Sequence, residues 1–138
     1  MENEYNNVLG KLKNITVEEI DSLSPLQLAY LGDAVYELLV RTYIININRN
    51  LKVQELHQKA TEFVSAKAQS DIIHKLEKYL TEEEMGIVKR GRNAKINSHP
   101  KNFSVLEYKY ATGFETLIGY LYLKGQEDRI IQLFSFIV

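Results

Sequence analysis

Two acids in this sequence stand where an acid is costly. Asp33 lies in Leu28-Ala29-Tyr30-Leu31-Gly32-Asp33-Ala34-Val35, directly after a glycine, and Glu115 lies in Thr112-Gly113-Phe114-Glu115-Thr116-Leu117-Ile118-Gly119, with a glycine on either side along the chain. Both stretches read as helix interiors. A glycine there costs about 1 kcal/mol relative to alanine, so Gly32 suggests that something packs closely against it. Around Glu115 the apolar Phe114, Leu117, Ile118 and Leu121 make a helix that is buried nearly all round, and a carboxylate in such surroundings needs a partner or a metal. Carboxylate oxygens are hard donors that suit magnesium or manganese. Two of them on facing helices can hold such ions for phosphodiester hydrolysis. Taken alone, either acid also reads as a solvated or ion-paired helix residue. Glu37, one turn after Asp33 on the same face, is either a further acid behind the metal or the partner of Arg41, four residues on.

The elements that must position these residues are all helices. Thr16-Val17-Glu18-Glu19, Ser24-Pro25-Leu26-Gln27 and Thr81 to Glu84 have the spacing of capping boxes, and Ser104 with Glu107 caps a further helix. Pro25 suits a first helical position. Leu28, Leu31, Val35, Leu38, Leu39 and Thr42 recur at helical spacing, which predicts a long helix from Ser24 to about Ile45. Tyr30 is expected in its core. The Asn-rich stretch Asn46 to Asn50 reads as a turn. Further helices are expected over Val53 to Val64, over Ala66 to Tyr79, from Thr81 to a stop at Gly91 as the residue past the helix end, from Ser104 to about Lys124 with a stop at Gly125, and from Glu127 to Val138. No repeat or linker interrupts them. One all-α domain over residues 1–138 is the expectation, with 1–14 a polar, Asn-rich and loosely packed tail.

Composition sets limits on function. The chain has 138 residues, 45% of them hydrophobic and 25% charged, the balance of a folded domain. It contains no cysteine, which excludes disulfides and thiolate metal sites and fits a reducing compartment. No apolar run approaches the roughly 20 residues of a membrane span, and no signal peptide is visible at the N-terminus, so the expected location is the cytoplasm. The net charge is −1, with 17 Lys and Arg against 18 Asp and Glu, yet Met85 to Leu106 holds no acid at all. That segment carries Lys89, Arg90, Arg92, Lys95 and Lys101, with Asn93, Asn97 and Asn102 among them. A local basic stretch on a near-neutral protein suits phosphate contacts, with the asparagines as neutral hydrogen-bonding groups. A solvated basic loop without a ligand is the plainer alternative. His99 reads as a loop residue, and His57 and His74 have no second histidine at ligand spacing.

Leu31-Gly32-Asp33-Ala34 with Val35 and Leu38, followed by Phe114-Glu115-Thr116-Leu117-Ile118-Gly119-Tyr120-Leu121-Tyr122, resembles the ribonuclease III catalytic domain. The stretch Arg90-Gly91-Arg92-Asn93-Ala94-Lys95 with Pro100-Lys101-Asn102 is similar to its small Mini-ribonuclease III subgroup, which consists of that domain alone. The resemblance spans Ser24 to Leu123. It implies an all-helical homodimer that cleaves double-stranded RNA with magnesium, manganese being a substitute, and leaves 5′-phosphate and 3′-hydroxyl ends. For the subgroup it implies maturation of the 23S ribosomal RNA precursor in bacteria, with a ribosomal protein as a possible helper.

By the same resemblance Asp33 and Glu115 are the catalytic metal ligands, and Lys89, Arg90, Arg92, Asn93, Lys95 and Lys101 face RNA. Larger relatives carry further acids at the positions of Ala29 and Thr112, and the subgroup shares their loss. The family's interface puts a second copy against the helix of the Leu-Gly-Asp motif, here Leu26 to Tyr36. No room is left for a separate RNA-binding domain, so affinity is expected from the basic segment, or from the structured RNA or a ribosomal protein that holds the substrate, and activity is expected to fall steeply with salt. Three other readings compete: a non-catalytic, ribosome-associated RNA-binding homologue, favoured by Ala29 and Thr112; a helical protein-interaction module, which leaves the two glycine-flanked acids unexplained; and another metal hydrolase on a helical scaffold, since fold does not fix function.

Overall fold

The computed structural model describes Leu12, residues 14–95 and residues 104–138, and among these no strand occurs. The elements are α1 (Val17–Ser22), α2 (Pro25–Ile47), α3 (Val53–Val64), α4 (Ala66–Leu76) with a 3-10 turn (Glu77–Tyr79), α5 (Glu82–Arg92), α6 (Val105–Leu123) and α7 (Glu127–Ser135). Their starts are those that the cap residues predict. Thr16, Ser24 and Thr81 each accept a backbone N–H from three residues on, while Glu19, Gln27 and Glu84 return to the cap amide. Ser104 accepts the Glu107 N–H at 2.9 Å. At the end of α6, Gly125 takes φ 74°. There the Gln126 N–H reaches the Leu121 carbonyl at 2.9 Å and the Gly125 N–H reaches Tyr122 at 3.1 Å, which satisfies the last carbonyls of the helix.

The centre of the molecule is α6. It packs chiefly on α2, then on α5 and α4, and from Ala111 to Leu121 every residue but Glu115 is buried. Tyr36 of α2 stands edge-on to Phe114 at 4.8 Å and donates its hydroxyl to the Phe63 carbonyl at 3.0 Å, which ties α2, α3 and α6 together. Glu84 of α5 and Arg129 of α7 form a two-pronged ion pair. Nε and one terminal guanidinium nitrogen each donate at 2.8 Å, and that nitrogen also reaches the Tyr79 carbonyl.

Three expectations are corrected. Tyr30 is 84% exposed, because the buried face of α2 runs through Leu28, Gly32, Tyr36, Val40 and Ile44. Two residues of helix turn Tyr30 about 200° from Gly32. Gly91 does not end α5. It lies within the helix at a negative φ and is buried, and a Cβ there would meet the Thr116 hydroxyl and the Gly113 Cα. Its smallness serves contact between α5 and α6. The fourth predicted helix ends as an α-helix at Leu76 and reaches Tyr79 only as a 3-10 turn.

Candidate active site

The close approach foreseen at Gly32 is a helix crossing. A Cβ on Gly32 would strike the Glu115 carbonyl, and one on Gly119 would strike the Leu28 carbonyl. Two glycines therefore let the backbones of α2 and α6 touch. Asp33 follows Gly32 directly, and Glu115 precedes Gly119 by one turn, so the same contact sets the two acids beside each other. Their carboxyl groups lie within hydrogen-bonding reach. Asp33 is exposed and Glu115 half-buried.

This placement changes the chemistry of Glu115. Burial, the hydrogen bond with Asp33 and the nearby charges of Asp33 and Glu37 push its carboxyl up to about 9. A hydrogen bond from Gln69 acts the other way. A carboxyl so crowded by acids either keeps a proton or shares a cation with its neighbours. Its donors are all oxygen, the set that hard divalent ions take. The residues thus fit a magnesium-type ion that keeps several waters of its own. Among the described residues no group of three or more His, Cys, Asp or Glu is gathered at metal-holding distance. Ala29 and Thr112 stand one turn before Asp33 and Glu115 and carry no carboxylate. Both are buried, and the Thr112 hydroxyl donates back to the Tyr108 carbonyl at 2.9 Å.

Glu37 pairs with Arg41 at 2.9 Å, one of the two arrangements its spacing allows, while still contributing to the field at Glu115. Gln69 of α4 went unnoticed in the sequence. It is 2% exposed and reaches the site from a third helix. Nothing in the pattern Ala66-Lys67-Ala68-Gln69-Ser70 sets it apart from a surface glutamine.

The basic residues form the end of α5 rather than a loop alone. Lys89, Arg90 and Arg92 occupy its last turn, where cations also suit the helix dipole. Asn93 caps it. Lys89, Arg90, Asn93 and Lys95 are exposed. Arg92 lies over the Tyr110 ring at 5.6 Å and donates to Asn93 at 3.2 Å, so it is held in place. Through Gly91 this turn packs on Gly113 and Thr116, beside the turn of α6 that bears Glu115. Lys101, with Asn97, His99 and Asn102, falls outside the described residues.

Comparison with known proteins bears on the same residues. The Ribonuclease III domain model matches residues 26–126. Mini-ribonuclease 3 of Clostridium tetani is 47% identical over 126 residues, 91% of this chain and 83% of that protein. Mini-ribonuclease 3 of a Thermoanaerobacter species is 48% identical over 126 residues, 89% of this chain and 88% of that protein. A crystal structure of a Fusobacterium nucleatum protein superposes with a TM-score of 0.77 at 36% identity, covering 86% of this chain and 93% of that one. With the match spanning both acids and the helices that carry them, the chain belongs to the ribonuclease III family, in its Mini-ribonuclease 3 group, and is an endoribonuclease.

Proposed function

We propose that this endoribonuclease is magnesium-dependent, with manganese as a substitute, and cleaves double-stranded RNA as a homodimer. Its substrate is the 23S ribosomal RNA precursor in the cytoplasm, where a ribosomal protein can help to present it. The observation that carries this reading is the pair Asp33 and Glu115, brought together at the Gly32–Gly119 crossing with Glu115 pushed up to about 9. Asp33 and Glu115 hold the ion. When bound, the ion supplies a Lewis acid that favours hydroxide formation from water and offsets charge building on the phosphate.

The protein's residues do the rest. Exposed Asp33 meets the RNA side, and recessed Glu115 anchors from behind. Lys89, Arg90, Arg92, Asn93, Lys95 and Lys101 track phosphates, as suits A-form RNA, which proteins recognise mainly by shape and backbone. Water attacks phosphorus and the bond to the 3′-oxygen breaks. That oxygen takes a proton and leaves as the 3′-hydroxyl, while the phosphate stays on the 5′ end. Cutting both strands calls for two sites related by a two-fold axis. The exposed Leu26 and Tyr30 on α2 offer apolar surface for the second copy.

The test is cleavage of an end-labelled RNA duplex with magnesium by wild type, Asp33→Asn and Glu115→Gln. Wild type should cut both strands, and both variants should bind the duplex without cutting it. Full activity in either variant, or in wild type stripped of divalent ions by chelation, overturns the reading.

A further inference from the structure

We propose that Gln69 is a positioning residue of the carboxylate site: its amide N–H holds Glu115, and its Oε1 accepts a hydrogen bond from a water molecule bound beside the two acids. This rests on the reading in which Asp33 and Glu115 hold a divalent cation.

Gln69 is the polar group that α4 sends into the site. The N-cap bond from Ala68 N–H to Ser65 Oγ, at 3.1 Å, fixes the start of that helix one turn earlier. Its Nε2 donates to the Val64 carbonyl at 3.2 Å and its side chain also hydrogen-bonds to Glu115. The amide nitrogen thus has an acceptor in Val64 and stands near enough to Glu115 to act on its carboxyl. The oxygen has no donor among the described residues, although it is fully enclosed. Leaving a buried amide oxygen unpaired carries its full desolvation penalty, which is large against the stability of a small domain.

The identity of the missing donor follows from the neighbours. Oε1 shares a carbon with the nitrogen that holds Glu115, so it lies beside that carboxylate. Asp33, Glu37 and Glu115 are acceptors too once ionised. Arg41 answers Glu37, yet no ion pair between described residues holds Asp33 or Glu115, and Oε1 still lacks a donor. A hydrated divalent ion supplies what is missing: charge for the carboxylates, and a water whose hydrogen can reach Oε1.

The test measures Mn2+ binding to the RNA-free protein by the loss of the free-ion electron paramagnetic resonance signal, for wild type, Gln69→Met and Asp33→Asn. Magnesium dependence of duplex cleavage is read alongside. Gln69→Met keeps the volume and removes both polar atoms. It should bind Mn2+ about tenfold more weakly and need correspondingly more Mg2+ for half-maximal cleavage, with its maximal rate less affected. Asp33→Asn should lose Mn2+ binding altogether. Wild-type Mn2+ affinity in Gln69→Met, with Asp33→Asn defective, overturns the role of Gln69 and leaves the metal reading standing. No Mn2+ uptake by wild type overturns both. If Gln69→Met does not fold, Gln69→Asn keeps the amide but withdraws it by one methylene, and the same weakening is expected.

Discussion

Glu84 and Glu115 are both acids on helices packed against the centre of the molecule, and they are furnished in opposite ways. Glu84 is 7% exposed, yet the Arg129 guanidinium grips both its oxygens and the Thr81 cap adds a backbone N–H. Arg129 holds its carboxyl below the ordinary 4.5. For Glu115 burial acts first, and the charged groups close to it are Asp33 and Glu37, so that its carboxyl is raised to about 9. Folding completes the surroundings of the first acid and leaves those of the second short of positive charge. An acid left short of charge beside another acid, at the surface end of a helix crossing, is how a cation site looks before its cation arrives.

The contrast can be broken most sharply at Glu115 itself. Glu115→Gln should lower duplex cleavage about a thousandfold or more while raising the melting temperature of the metal-free protein at pH 8. The sign follows from linkage. A folded-state value of about 9 against an ordinary 4.5 means that the folded protein keeps a proton which the unfolded chain has released. Stability is then full below pH 4.5 and is lost as pH rises toward 9. Glutamine removes that loss, so the two melting curves should converge near the acid end. A lower melting temperature for the variant at pH 8 would place Glu115 with Glu84 as a structural acid.

Arg129→Met should do the reverse. Leaving Glu84 buried and unpaired costs about 3 kcal/mol at neutral pH, read from urea unfolding, with cleavage per folded molecule unchanged. Because the folded value of Glu84 is depressed, its contribution is present above its ordinary 4.5 and lost as pH falls through the folded value. The deficit should therefore shrink in acid. Gly119→Ala falls between the two. Pushing a Cβ toward the Leu28 carbonyl should cost about 2 kcal/mol, and cleavage should fall with stability because the crossing also spaces the acids. Equal cleavage per folded molecule would show that the crossing only packs. The smallest effect is expected from Glu37→Gln. It removes one negative neighbour of Glu115 and frees Arg41, and the Mg2+ needed for half-maximal cleavage should rise about twofold.

The parts legible in the sequence were those with local causes. Ser24, Thr81 and Ser104 announce helix starts because a cap hydroxyl acts within three residues. Gly32 announced a close neighbour because its backbone cost must be offset by something. Gly91 was misread for the same locality: a glycine after Lys89 and Arg90 looks like a helix end, and only the partner helix, bearing Gly113 and Thr116, explains it. Tyr30 lies on the opposite side from its expected place in the core because α2 is apolar over most of its circumference, so periodicity alone does not single out its buried face. Gln69 was invisible because a buried glutamine carries no period, and its meaning depends on two acids 36 and 46 residues away. The pairing of Asp33 with Glu115 came from resemblance; the crossing supplies its physical basis.

That crossing has a consequence for anyone wishing to retune the enzyme. Main chain rests on main chain at Gly32 and Gly119, so there is no side chain to trim, and even the smallest enlargement, the methyl of Gly119→Ala, collides with backbone and cannot shift the helices finely. The gap between the acids behaves as a fixed gauge rather than an adjustable one. Preference among ions of different radius would have to be altered by the reach of the acids themselves, as in Asp33→Glu, and not by repacking what lies beneath them.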